Sequence, residues 1–206
     1  TGAANAVAVG PSALASGKNS VSVGTNNNSR VQDTVTMGQD NDAKTMGGIA
    51  IGKNNMVDST NGGTNFGETR NENSQVAIGR DNTATHLDTI AIGRDTHATG
   101  SGATAFGARA DASGNNSIAI GQSGRDSKRI TASGENAIAI GMRTTSSGAS
   151  SIAQGAEATA TGDYAIAEGR LSKATKQGAI AIGNEAEANI ANGVALGDYS
   201  VTTTDK

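Results

Sequence analysis

The sequence ENAIAIGMRTTSSGASSIAQG, residues 135–155, contains one five-residue phrase twice, first as AIAIG and then as SIAQG. The glycines that close the two phrases, Gly141 and Gly155, are fourteen residues apart. Similar phrases recur along the whole chain, and ten of the thirteen intervals between their closing glycines are fourteen residues long. The fourteen closing glycines are Gly10, Gly24, Gly38, Gly52, Gly67, Gly79, Gly93, Gly107, Gly121, Gly141, Gly155, Gly169, Gly183 and Gly197. A fixed short period predicts a repeat architecture in which each repeat packs on its neighbours.

The phrase itself predicts a short strand. Large apolar residues alternate with a small one, which is alanine in eleven of the fourteen copies, and an alternation with period two is a strand pattern. The closing glycine suits a turn with positive φ. A second, weaker phrase, such as Ala110-Asp111-Ala112-Ser113-Gly114, follows at a fixed offset and predicts a second strand with one buried face.

Fourteen residues are too few for a hairpin with a core of its own, so one repeat cannot fold alone. Stacking the repeats as coils lets each strand form hydrogen bonds with the equivalent strands of the coils above and below. We therefore expect an all-β parallel β-solenoid, or β-roll, of about 14 coils that spans residues 1–206 as a single domain.

Facing sheets usually lie about 10 Å apart, a gap that alanine against alanine would leave empty. We therefore expect Ile138 and Ile140 to point into the roll, and Ala119 and Ala139 to form a small-residue stripe on the outside. Such a stripe suggests self-association. Gln154 and Glu168 do not fit this assignment, because both occupy a position that it places inside.

The composition excludes several classes of function. Only 35% of the chain is hydrophobic and 2% aromatic, so an ordinary large core is not expected. The net charge of −3 and the lack of a dense Lys and Arg cluster argue against nucleic acid. The absence of cysteine excludes disulfides and thiolate metal sites. No run reaches the eighteen apolar residues of a membrane span, so no membrane contact by this segment is expected.

An enzyme is not indicated either. The histidines, His86 and His97, have no acidic partner at an informative spacing and are interpreted as surface residues. No serine belongs to a nucleophile elbow. The sequence shows no calcium-binding nonapeptide. We therefore predict neither a catalytic residue nor a metal or cofactor.

Two charged features are candidates for ligand contacts. Arg80-Asp81 and Arg94-Asp95 follow the closing glycines of consecutive coils, so like residues should stack at one edge. About six extra residues, Gln122 to Ser127, interrupt the period, and a charged segment, SGRDSKR (123–129), overlaps them. The candidate ligand-binding residues are Arg80, Arg94, Arg125, Asp126, Lys128 and Arg129. A solvated edge and a tolerated insertion remain the alternatives.

Units such as NSIAIG (116–121) after ADASG (110–114), and GENAIAIG (134–141), resemble the head repeats of YadA-like trimeric autotransporter adhesins of Gram-negative bacteria. The resemblance covers nearly the whole chain and is weakest over residues 25–75. It implies a left-handed parallel β-roll that forms a homotrimer, carried on a stalk and anchored in the outer membrane through regions outside this segment. Members attach bacteria to host extracellular matrix, to host cells or to one another, commonly as virulence factors.

The expected partners are therefore two further copies of the chain and host matrix proteins or cell-surface receptors, with collagen, fibronectin, laminin and glycans as candidates. Two other functions stay open at this point. The chain could be a passive spacer that projects another binding domain, or a segment of a trimeric phage tail fibre.

Overall fold

The computed structural model describes residues 3–58, 74–124 and 128–202. Every regular element in these ranges is a β-strand. The described ranges accordingly contain no α-helix that could span a bilayer. The chain comprises two compact units, Thr1–Gly102 and Ala103–Lys206.

The described residues of the first unit form twelve strands in two parallel sheets. The odd-numbered strands carry the repeated phrase and the even-numbered strands carry the weaker one. The strands are β1 (Val7–Val9), β2 (Leu14–Ala15), β3 (Val21–Thr25), β4 (Asn28–Ser29), β5 (Val35–Gln39), β6 (Asp42–Ala43), β7 (Ile49–Lys53), β8 (Met56–Asp58), β9 (Val76–Arg80), β10 (Thr83–Thr85), β11 (Ile90–Arg94) and β12 (His97–Ala98). Each strand pairs with the strand two places along the chain, so odd and even strands form separate sheets.

The second unit repeats this plan, with thirteen strands in the part that the structure describes. They are β13 (Thr104–Ala108), β14 (Ala110–Ala112), β15 (Ile118–Gln122), β16 (Ile130–Ala132), β17 (Ile138–Ile140), β18 (Thr145–Ser146), β19 (Ile152–Gln154), β20 (Thr159–Ala160), β21 (Ile166–Glu168), β22 (Lys173–Ala174), β23 (Ile180–Ile182), β24 (Glu187–Ala188) and β25 (Val194–Leu196). Odd strands again pair with odd and even with even, all of them parallel. The predicted parallel β-solenoid with about 14 residues per coil is therefore confirmed.

In the described residues the coils number about 12, because twelve pairs of odd and even strands are complete and β25 begins one more, whereas we predicted about 14. Strand β7 pairs directly with β9, with Ile49 opposite Val76, so the 27-residue interval between them adds one coil instead of two. The phrase GTNFG (63–67), which we predicted to form a coil, lies outside the described residues.

The predicted interior is wrong, because the two faces of the phrase are reversed. Ala119 and Ala139 are completely buried, whereas Ile138 is half-buried and Ile140 is 36% exposed. Alanines from both sheets of the second unit form one buried cluster. Two alanine faces can bury each other only if the sheets lie closer than the roughly 10 Å on which our expectation relied. A coil of fourteen residues therefore has room inside for small side chains, and the large ones point outward.

The closing glycine is required by both its conformation and its neighbours. Gly79 has a φ of +125°, which residues with a side chain rarely adopt. A Cβ atom built on it would lie 1.9 Å from the carbonyl oxygen of Gly93 in the next coil. The glycine repeats along the sequence because the backbones of stacked coils touch at this corner.

Candidate functional site

The outward side chains of the odd-numbered strands form an extended apolar surface in each unit, which we call the apolar face. In the described strands of the first unit, the side chains of this face all precede the closing glycine and are Val, Ile or Met, whereas polar or charged residues follow the glycine at the strand ends. Its most exposed members are Val7, Val9, Met37 and Ile90 in the first unit and Phe106, Ile140, Ile182, Val194 and Leu196 in the second, with exposures from 36% to 63%. Extended apolar surface of this kind is typical of a protein interaction site.

Polar side chains interrupt the apolar face of the second unit at Thr104 and, more prominently, at Gln154 and Glu168. Gln154 and Glu168 lie opposite each other on adjacent strands, between Ile140 and Ile182 in the same row. Both are exposed. The reversal of the predicted faces explains why the interior assignment did not fit these two residues: they point away from the interior.

Sequence reasoning missed a row of buried asparagines in the first unit, which we call the asparagine ladder. Asn27, Asn41, Asn55 and Asn82 lie at the same position of successive coils and are at most 1% exposed. The Asn55 side-chain amide donates to Asn41 Oδ1 at 2.8 Å, and the Asn82 amide donates to Asn55 Oδ1 at 2.9 Å. Thr96 ends the row through a 2.6 Å hydrogen bond from its hydroxyl to Asn82 Oδ1.

Each ladder amide also contacts one backbone carbonyl of its own coil and one of the next coil, so that in Asn55 two N–H groups are shared among three acceptors. Asn55 donates to Ile51 O at 3.0 Å and to Gly79 O at 2.9 Å. The ladder crosses the 27-residue interval without a break, since Asn55 and Asn82 are direct neighbours in it. The signal in the sequence was an Asn or Asp followed by Asn after the closing glycine, as in NN (26–27), DN (40–41), NN (54–55) and DN (81–82).

A row of cations ends three adjacent strands of the first unit, and we call it the basic row. Arg80 and Arg94 lie opposite each other, which confirms that arginine stacks on arginine at this edge. Lys53 pairs with Arg80 across the 27-residue interval and extends the row. All three residues are exposed. Sequence reasoning missed Lys53 because the interval is almost twice the usual period.

The acidic residues that follow the basic row turn toward polar neighbours. Asp81 accepts a hydrogen bond from the Asn54 amide at 2.9 Å and lies 3.3 Å from Arg80 Nε. Asp95 Oδ1 lies 3.5 Å from His97 Nε2. His97 therefore does have an acidic neighbour, contrary to our reading of the sequence, and its side chain is 37% exposed.

The second candidate, the charged insertion, is described in part. Gln122 pairs in register with Ala108, and Ile130 pairs with Ala110. Ser123 also keeps the frame, because its amide donates to Ala108 O as expected for the next position. The six extra residues are therefore 124–129 and not Gln122 to Ser127.

Of the four charged residues predicted there, Lys128 is exposed and Arg129 lies 3.9 Å from Asp111. Arg125 and Asp126 lie outside the described residues. The structure thus places Arg80 and Arg94 together in one unit, and Lys128 with Arg129 in the other.

A groove of about 490 Å³ runs beside the asparagine ladder on the first unit. Its walls carry amides and carboxylates, including Asn26, Asp40 and Asn54 along one row and Asn28 and Asp42 along another. Among the residues that the structure describes, no three His, Asp or Glu side chains are grouped so that they could hold a metal ion. The groove can offer hydrogen bonds to a polar ligand.

The family model described as the YadA head domain repeat (2 copies) matches six segments of the chain: residues 3–27, 76–96, 98–123, 131–144, 146–172 and 174–200. Together they cover more than half of the chain. None of the curated proteins compared with the chain matches it. The largest unmatched segment, residues 28–75, contains Asn41 and Asn55 of the asparagine ladder.

Proposed function

Because the chain belongs to the YadA head domain family, we propose that it is the trimeric head of a bacterial surface adhesin that attaches the cell to host matrix or host cells. The family is non-catalytic and is typical of trimeric autotransporter adhesins. In this proposal the coils are left-handed, three copies associate, and the adhesin is held in the outer membrane as the members of this family are.

The observation that carries the proposal is the apolar face. Side chains such as Phe106, Val194 and Leu196 are 51%, 54% and 63% exposed in the single chain. An interior of alanine and small polar residues buries little apolar surface per residue. Association of several copies has to bury the further apolar surface that a stable fold needs. We propose that the apolar faces of two further copies pack against this face, because they match it in chemistry and in coil spacing.

Gln154 and Glu168 are compatible with this interface if their polar ends reach one another or water. A carboxylate buried without a partner would be costly. The two side chains are on adjacent strands, and glutamine can donate a hydrogen bond to a carboxylate of the same or a neighbouring copy.

Assembly is tested by placing charge on the apolar face. In the variant Ile138→Arg/Ile140→Arg the trimer should dissociate or unfold, because two guanidinium groups from each of the three copies would enter the interface. The matched control, Thr145→Arg/Ser147→Arg, changes outward residues of the other sheet in the same coil and should stay trimeric. Sedimentation equilibrium measures both. A wild-type chain that remains a folded monomer at micromolar concentration would contradict the trimer.

Adhesion is tested by solid-phase binding of the trimer to collagen, fibronectin, laminin and cultured host cells. We expect saturable binding to at least one of them, with an avidity well above that of a single coil, because repeated weak contacts multiply when they are linked. The absence of binding to every surface would instead support a passive spacer.

A further inference from the structure

The basic row is the strongest candidate for a ligand site outside the apolar face. We propose that Lys53, Arg80 and Arg94 form a binding site for a sulfated polysaccharide. This inference rests on the proposed adhesin function and names a ligand class for it.

The pairing register of strands β7, β9 and β11 brings three positive charges close together. Lys53 lies opposite Arg80, and Arg80 opposite Arg94, on three consecutive strands of one parallel sheet. Parallel strands are about 4.8 Å apart, so the three side chains begin within about 10 Å of one another. Like charges directly opposite each other are unfavourable. The three cations of the row therefore repel one another, and a bound linear polyanion would reduce this repulsion.

The neighbouring acids compensate little of this charge. Asp95 lies beside His97, and one oxygen of Asp81 is occupied by the Asn54 amide. Arg80 forms the one ion pair of the row within the described residues, at 3.3 Å to Asp81, with both side chains about half exposed. Exposed pairs of this kind are weak, so the cations stay available to a ligand.

The chemistry favours sulfate groups on an extended chain. Arginine and lysine donate charge-assisted hydrogen bonds to such oxyanions. The cations lie exposed at the ends of three stacked strands, an arrangement that suits a ligand running from coil to coil. Nucleic acid fits less well, because the described residues of the first unit include no Phe, Tyr or Trp on which a base could stack.

The test compares two triple variants of the assembled protein on immobilised heparin. Lys53→Gln/Arg80→Gln/Arg94→Gln removes the row, and Lys18→Gln/Lys173→Gln/Lys176→Gln removes the same charge from exposed residues elsewhere. We expect the first variant to weaken heparin binding at least about tenfold at 0.1 M salt and to flatten its salt dependence, since fewer counterions are released. The control should retain wild-type affinity, and desulfated heparin should not bind.

Several results would overturn the inference: no heparin binding by the wild type, equal losses in both triple variants, or equal affinity for oligothymidylate. Circular dichroism and the thermal midpoint check that each variant is folded. The single variant Arg94→Gln, expected to lose about threefold in affinity, keeps the test decisive if the triple variant does not fold. Wild-type binding to matrix proteins without binding to heparin would reject the basic row and leave the adhesin function intact.

Discussion

The two units build the same coil around different interiors. Among the described residues, most buried side chains of the first unit are polar, including the asparagine ladder, whereas most of those in the second unit are alanines. Asn55 and Thr144 occupy the same position of their coils, three residues after the closing glycine, and both are completely or almost completely buried. The comparison shows that this fold accepts polar side chains inside if every coil supplies the hydrogen-bonding partner of the next.

The largest effect should come from breaking the asparagine ladder. Asn55→Ala removes hydrogen bonds to Asn41, Asn82, Ile51 and Gly79 at once. Because buried polar groups then lack partners, we expect a loss of about 3 kcal/mol or more in the free energy of unfolding. Urea denaturation of the wild type and the variant measures this loss.

Thr144→Ala is the matched change in the second unit. The Thr144 hydroxyl makes one hydrogen bond, at 2.6 Å to Gly155 O, so its loss should cost about 1 kcal/mol. Equal costs for the two variants would show that the ladder acts as independent side chains and not as a connected row.

A smaller effect of opposite sign is expected at the corner that follows the closing glycine. This position has a positive φ in both units, and the first unit fills it with Ser12, Asn26, Asp40, Asn54, Asp81 and Asp95, while the second contains Leu171, with a φ of 57°. Asparagine tolerates this conformation better than leucine does. Leu171→Asn should therefore raise the free energy of unfolding by up to about 1 kcal/mol, as measured by denaturation.

Asn54→Leu is the reciprocal change and should lower stability by about 1 kcal/mol or more, because it adds backbone strain and removes the hydrogen bond to Asp81. Stabilisation by both variants, or by neither, would contradict the assignment of the strain to the corner residue.

The smallest effect concerns the pKa of an exposed carboxyl group, Asp33, on the first unit. Hydrogen bonds from Asn19 and then Gln32, together with the charge of Lys18, hold the pKa of Asp33 below its ordinary value. A lowered folded-state pKa means that the contribution of Asp33 to stability is present above the ordinary pKa and is lost as the pH falls through the lowered one. Asn19→Ala should raise the pKa of Asp33, which an NMR titration of its carboxyl carbon would detect. An unchanged pKa would mean that Asn19 does not lower it.

Much of the architecture could be predicted from the repeated phrase. The alternation in AIAIG located strands such as β17 and β23, and the fourteen-residue period predicted the parallel in-register pairing of Ile152 with Ile166. These features depend on local backbone geometry and on the stacking of like residues, and the residues of each repeat are enough to determine both. The pairing of β7 with β9 could not be predicted, because the period is lost between them and the direct neighbours are chosen by hydrogen bonding in three dimensions.

The basic row and the asparagine ladder were likewise predictable only in part. Arg80 and Arg94 could be paired from the sequence because one regular period separates them, whereas Lys53 joined the basic row only through the unforeseen register. The asparagine ladder was present in the sequence as repeated Asn pairs and Asp-Asn pairs, but such pairs are also typical of solvent-exposed turns. Their burial depends on the coil closing tightly enough to exclude water from the corner.

By itself, the sequence determined that the chain forms short parallel strands in coils of fourteen residues, and that one face of each strand differs from the other. It did not determine which face lies inside. Alternation with period two is symmetric between Ile138 and Ala139, and only the width of the closed coil distinguishes them. Because the interior is narrow, alanine and hydrogen-bonded asparagine fill it, and isoleucine is left on the surface that we propose to pack against two further copies.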